Sequence, residues 1–243
     1  MSTKCRNCPL RQLEIFDEMS EDELSFMESF KRDELSIGPG TPILMENARS
    51  AQMFTVLEGL AIRFKTLDDG RRQIINFVMP GDFIGLQAAV ADEMGHSVEA
   101  VTDMTLCVFE RAELFSIFQN HPSRAYDITW LGATEEHFLG EALTSIGQRS
   151  AIERIAWGLL NIWMRAIQLD LLQDGELLFP FRQQDLADTL GLSLVHTNKT
   201  LAKLRERGLL SWSSNRLALH DVPALEKLAV VSIEDFKRHR PLM

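Results

Sequence analysis

The spacing of apolar residues changes several times along the chain, and each change predicts a different kind of structure. Ser20-Glu-Asp-Glu-Leu24 opens a short helix, with Ser20 as cap and Glu23 at the box position. From about Phe30 the apolar residues fall in short runs that alternate or are wholly apolar. These are Glu34 to Leu44, Met53 to Lys65, Arg72 to Val78 and Met104 to Phe109, separated by Gly, Pro and Asp. Leu67-Asp-Asp-Gly70 is a strong hairpin turn. Strands this short and this closely spaced predict a barrel or a double-sheet jelly roll. Pro80-Gly81-Asp82-Phe83-Ile84-Gly85 interrupts it before a short helical piece.

Helical periodicity returns at Arg111 and dominates from about Ser123 to Gln148. There Leu131, Phe138 and Ala142 make one stripe, flanked by Ile128, Leu139, Leu143 and Ile146. Spacings of seven, four and three predict a helix that pairs with a partner helix, although packing on its own barrel would satisfy the same pattern. Ala151 to Leu169 is another apolar helix, and Leu172 to Pro180 is a short strand-forming segment.

From Phe181 to Leu210 the pattern predicts two short helices joined by a tight turn. Leu186, Ala187 and Leu190 form the apolar face of the first. Gly191 follows where a helix C-terminus needs positive φ, Leu192 fills the corner, and Ser193 is a ready N-cap for the second. The second helix is expected to turn Leu194, Thr197, Leu201 and Leu204 inward and to expose Val195, His196, Asn198, Lys199 and Lys203. An exposed polar second helix after a small residue and a turn glycine is what a DNA-reading helix-turn-helix needs. Leu209 to His220 then reads as a hairpin turning at Ser213-Ser-Asn215, a wing able to touch the DNA backbone.

Composition sharpens this picture. The 243 residues suffice for two domains, and 45% hydrophobic content supports real cores. No run of about 18 apolar residues implies a membrane span, and the N-terminus lacks an apolar signal core. Three cysteines argue against a secreted disulfide framework and for a reducing cytoplasm. A net charge of −10 looks wrong for a nucleic-acid binder until its distribution is read. Residues 150–243 carry 12 basic and 11 acidic side chains, and residues 1–149 carry 13 and 24. Lys199, Lys203, Arg205, Arg207 and Arg216 form a local basic patch that faces only Glu206, enough to attract phosphates. No phosphate loop, nucleophile elbow or His-x-x-x-His zinc pair suggests an enzyme.

A β-rich first part, a long helix and a winged helix-turn-helix together resemble the Crp/Fnr family of bacterial transcription regulators, over nearly the whole chain. The strongest marks are Pro80-Gly-Asp-Phe-Ile-Gly85 and the Gln184-Asp-Leu-Ala…Leu190-Gly-Leu-Ser193 block. The resemblance implies an α+β chain with a cyclic-nucleotide-binding-like β-roll (jelly roll) sensor over residues 1–122, a dimerisation helix over 123–149 and a winged DNA-binding domain over 150–243. It also implies a cytoplasmic homodimer on a palindrome in double-stranded DNA, with reading helices roughly 34 Å apart, acting through RNA polymerase. Many members carry Glu-x-x-Ser-Arg on the reading helix. Here Val195, Asn198 and Lys199 stand at those positions, so the base contacts change. Val195 offers only apolar contact, Asn198 suits adenine, and Lys199 reaches guanine or phosphate as a point charge. Ser193, His196, Lys203 and Arg216 complete the expected DNA-contacting set, and Thr197 replaces the usual aliphatic core residue.

The effector is less determined. A cyclic-nucleotide pocket of this family needs a Glu where Leu86 stands and an Arg-Ser where His96-Ser97 stands, which counts against cyclic AMP. The resemblance leans instead towards the Fnr-like branch, whose iron–sulfur cluster is held by N-terminal cysteines and one on a late strand. Cys5, Cys8 and Cys107 match three of those four positions, and Glu14 stands at the fourth. A carboxylate is a poor ligand for such a cluster. A cluster with another fourth ligand, a thiol/disulfide or other metal site, a structural set of cysteines, and a non-cyclic-AMP ligand all remain open.

Overall fold

Alternating side chains decide the first half of the molecule, because successive residues of a strand face opposite sides of its sheet. The computed structural model describes residues 2–236 and 239–243. After two short 3₁₀ turns, Cys5–Asn7 and Pro9–Gln12, helix α1 (Glu21–Phe30) starts at the expected Ser20–Glu23 capping box. The strands are β1 (Lys31–Ile37), β2 (Pro42–Leu44), β3 (Gln52–Glu58), β4 (Ala61–Thr66), β5 (Arg72–Val78) and β6 (Phe83–Ile84). Helix α2 (Leu86–Ala91) precedes β7 (Ser97–Ala100) and β8 (Met104–Glu110). They form two four-stranded sheets, in the orders β1-β8-β3-β6 and β2-β7-β4-β5.

Between the sheets lies a core that includes Phe54, Val56, Val98, Met104, Leu106 and Val108. The alternate residues Met53, Cys107 and Phe109 face the other way. They pack with α1, with α3 (Leu114–Asn120) and with the first turns of the long helix α4 (Pro122–Gln148) in a second core containing Met27, Phe30, Ile128 and Leu131. Period-2 geometry therefore puts Cys107 on the outer face of the roll. Thr55 pairs directly with it across β3 and β8.

The second half is helical. Helix α5 (Ala151–Gln168) buries ten residues, among them Trp157 and Trp163. Phe138 of α4 stacks on Trp157 at 6.2 Å. A hairpin of β9 (Leu172–Gln173) and β10 (Glu176–Leu178) leads to α6 (Gln183–Leu190) and α7 (Leu194–Glu206). Strands β11 (Leu210–Ser213) and β12 (Arg216–Leu219) join that hairpin in one sheet, and α8 (Val222–Ala229) follows. Gly158 lets α5 and α6 approach closely, since a Cβ there would lie 3.1 Å from Leu190.

Two compact units result. One holds Met1–Arg71, Ile75–Glu136 and His239–Met243, and the other holds Arg72–Ile74 and His137–Arg238. The long helix is thus divided between them, and the segment 239–243 belongs with the roll although it follows the helix-turn-helix in sequence. No helix among the described residues is long and apolar enough to cross a membrane.

Candidate nucleic-acid interface and thiol cavity

The turn of the helix-turn-helix is built from local signals. Gly191 has φ +63° at the end of α6, the left-handed conformation that most side chains resist. The Ser193 hydroxyl accepts a hydrogen bond from the His196 N–H and so caps α7. At the start of α6 the Arg182 N–H donates to Asp185 at 2.8 Å. Burial works against the Asp185 carboxylate, but its hydrogen bonds from Arg182 outweigh that and hold its pKa below the usual range.

Helix α7 buries Thr197, Thr200, Leu201 and Leu204 and leaves Val195, His196, Asn198, Lys199 and Lys203 exposed. Val195 is 79% exposed, a high value for an aliphatic residue at a protein surface. Ser193, Val195, His196, Lys199 and Lys203 line one shallow depression; Asn198 is exposed on the same helix outside it. Leu194, expected inward, is 38% exposed. It is the first residue of α7, and no earlier turn shelters it; Thr200, not expected inward, is buried. Arg216 opens β12 and is half-buried, beside a tight turn at Ser214 and Asn215, both at positive φ.

The three cysteines, far apart in sequence, line a single small cavity of about 30 Å³. Cys5 opens the first 3₁₀ turn, Cys8 joins it to the second, and Cys107 comes from the outward face of β8. The N-terminal segment is tied there by Lys31, whose ammonium donates to the Thr3 carbonyl and to Glu34, each at 2.6 Å. Lys31 and Cys107 line the same cavity. Burial raises the pKa of all three thiols, and pushes Cys107 up to about 11 against the opposing pull of Lys31.

Sequence reasoning missed the rest of the wall. Met19, Met27 and Met243 also line the cavity, and Met243 arrives with the segment 239–243. That segment is anchored by the glycine turn noted in the sequence. Arg240 pairs with Asp82 at 2.9 Å and donates to the Gly81 carbonyl at 3.0 Å, with its guanidinium over the Phe16 ring. Gly81 must lack a Cβ, because one would lie 2.2 Å from Phe16. Arg124 then donates to the Leu242 carbonyl and Thr55 to that of Met243. Nothing in the hydrophobic pattern marks residues 239–243 as part of this wall.

Two cofactors of such folds can be tested against these residues. A four-thiolate iron–sulfur cluster does not fit: there are three thiols, no carboxylate side chain among the described residues lines the cavity, and Glu14 is exposed outside it. Among the described residues no group of three or more His, Cys, Asp or Glu side chains forms a metal-holding set. A cyclic nucleotide fits no better. His96 is 7% exposed, and burial together with Arg63 and Lys65 pushes its pKa down to about 3, so it offers no cation. The Ser97 hydroxyl is used by the Glu46 N–H, and Arg63 is engaged by Glu135 of α4 at 2.5 Å.

Comparison with known proteins agrees with this architecture. Residues 34–121 match the model of the cyclic nucleotide-binding domain, and residues 153–228 that of the Crp-like helix-turn-helix domain. The chain is 32% identical to the nitrogen fixation regulation protein FixK of Azorhizobium caulinodans, over 78% of this chain and 79% of that one. It is 29% identical to FixK of Bradyrhizobium diazoefficiens over 93% of both. With the transcriptional activator protein FnrL of Cereibacter sphaeroides it shares 26% identity, over 88% of this chain and 86% of the relative. Among solved structures, FixK2 from Bradyrhizobium japonicum superposes with a TM-score of 0.74 and 26% identity, covering 82% of this chain and 98% of that one.

Proposed function

Because the chain belongs to the Crp/Fnr family of transcription regulators, with a DNA-binding helix-turn-helix, we propose that it works in the cytoplasm as a homodimeric activator. It binds a palindromic operator, contacts RNA polymerase, and takes its signal at the thiol cavity. The observation that carries the reading is the outer face of α7, where Val195, His196, Asn198, Lys199 and Lys203 stand free above a wholly buried stripe. Helix α4 supports the dimer: Leu139 and Leu143, one turn apart, are 48% and 72% exposed in the single chain. The cavity supports the input, since it gathers all three cysteines of the chain and wraps them in residues from both ends of the sequence.

The test is operator affinity, measured by fluorescence anisotropy on the best palindrome selected from random DNA. Lys199→Ala and Asn198→Ala should each weaken binding about ten- to a hundredfold, the worth of one base contact, and relax selection at one position per half-site. Lys203→Ala should weaken all sequences alike and flatten the salt dependence. Unchanged affinity in both the Lys199 and Asn198 variants would remove α7 as the reading helix.

A further inference from the structure

The chemistry of the cavity wall goes beyond three thiols. Of the residues that line it, six carry sulfur: Cys5, Cys8, Cys107, Met19, Met27 and Met243. Among the described residues its only charged side chains are two cations, Lys31 and Arg11, with no carboxylate or imidazole side chain lining it. Hard cations such as magnesium or calcium take oxygen ligands and have no partner here. Zinc takes four nitrogen, oxygen or thiolate donors, and thioether sulfur adds nothing to that count. Thiolate and thioether together are the soft donor set that selects copper(I). The cavity is also small, about 30 Å³, only about two to three times the ~10–15 Å³ of such space that holds one water.

We propose that this cavity binds one soft monovalent metal ion of the copper(I) class, through the thiolates of Cys8 and Cys107 with thioether sulfur from Met19 and Met243. Cys8, between the two 3₁₀ turns, lines the cavity together with Cys107. Binding forms two metal–thiolate bonds and releases two thiol protons to solvent, and the metal keeps its oxidation state. One monovalent ion with two thiolates leaves a net charge of −1, which Arg11 and the Glu34-paired Lys31, both lining the cavity, offset. Met243 makes the site depend on the segment 239–243, held by Arg240–Asp82, Arg124–Leu242 and Thr55–Met243. The ion therefore ties down the stretch of chain that follows the DNA-binding unit in sequence. This inference rests on the cavity being the signal input, and names what is sensed there.

The experiment uses the full chain, reduced and kept under argon. Copper(I) is offered as its coloured complex with bathocuproine disulfonate, and the protein competes for it. The wild type should withdraw one equivalent, more tightly as pH rises, since two protons leave. Cys8→Ser and Cys107→Ser should each lose at least a hundredfold in affinity. The volume-keeping double swap Met19→Leu/Met243→Leu should lose about tenfold while its circular dichroism and operator affinity without metal stay unchanged. Zinc(II) offered at the same concentration should not compete. The proposal is overturned if the wild type withdraws no more copper than the triple Cys→Ser variant, if the thioether swap binds as tightly as the wild type, or if zinc displaces the copper. Operator binding then separates the two layers. If copper binds as described but loaded and unloaded protein hold the operator equally, the site stands and the signal-input reading falls. If alkylating the thiols changes operator binding but copper is not withdrawn, the input reading stands and the metal falls.

Discussion

His96 gives the most quantitative prediction. It sits at the edge of β7, 7% exposed, with Arg63 and Lys65 nearby, and burial followed by those two cations pushes its pKa from 6.5 to about 3. Between those two values the unfolded chain binds a proton that the folded chain refuses. The neutral ring's contribution to stability is therefore fully present above about pH 6.5 and is lost as pH falls towards 3. The loss approaches about 1.4 kcal/mol per pH unit, which integrates to about 2 kcal/mol between pH 7.5 and pH 5. Replacing His96 by Gln removes this linkage while keeping a polar side chain of similar reach. In equilibrium urea unfolding at pH 7.5 and pH 5.0, the variant should lose about 2 kcal/mol less than the wild type on acidification. The ring resonances of His96 should also stay at their neutral shifts down to pH 5. Equal acid sensitivity in the two proteins, or a ring that titrates near 6.5, would show that the residue is not held neutral by its surroundings.

Two further substitutions probe other parts of the molecule. Thr197 is fully buried in the reading-helix stripe, and its hydroxyl has no hydrogen-bond partner among the described residues; Thr197→Val should raise stability by about 1 kcal/mol, seen as a higher melting temperature, and a loss of stability would mean that the hydroxyl is satisfied. Leu143 is 72% exposed on α4; Leu143→Glu should cost a lone chain almost nothing but should halve the mass measured by light scattering at micromolar concentration, and an unchanged dimer mass would place the subunit contact elsewhere.

The features legible in the sequence are those fixed by neighbours in the chain. The Ser20–Glu23 box, the Gly191 turn, the Ser193 cap and the tight turn at Ser214-Asn215 each depend on a few consecutive residues, and the structure shows them where they were expected. The run Met104 to Phe109 likewise read as a strand, while the face that Cys107 takes came from the structure. Local pattern failed at Leu194, because periodicity assigns a face and not the depth of a helix end.

The sequence by itself determined a β-roll, a long helix and a winged reading helix, and pointed to three cysteines. Only the tertiary structure decided what surrounds those cysteines. Strand register places Thr55 beside Cys107, Gly81 lets Phe16 close on the turn, and Arg240 is thereby seated where Met243 can complete the wall. These contacts join residues as far apart in sequence as Phe16 and Arg240. A long-range contact is chosen by the packing of the whole unit rather than by spacing along the chain, so no period in the sequence could have announced it.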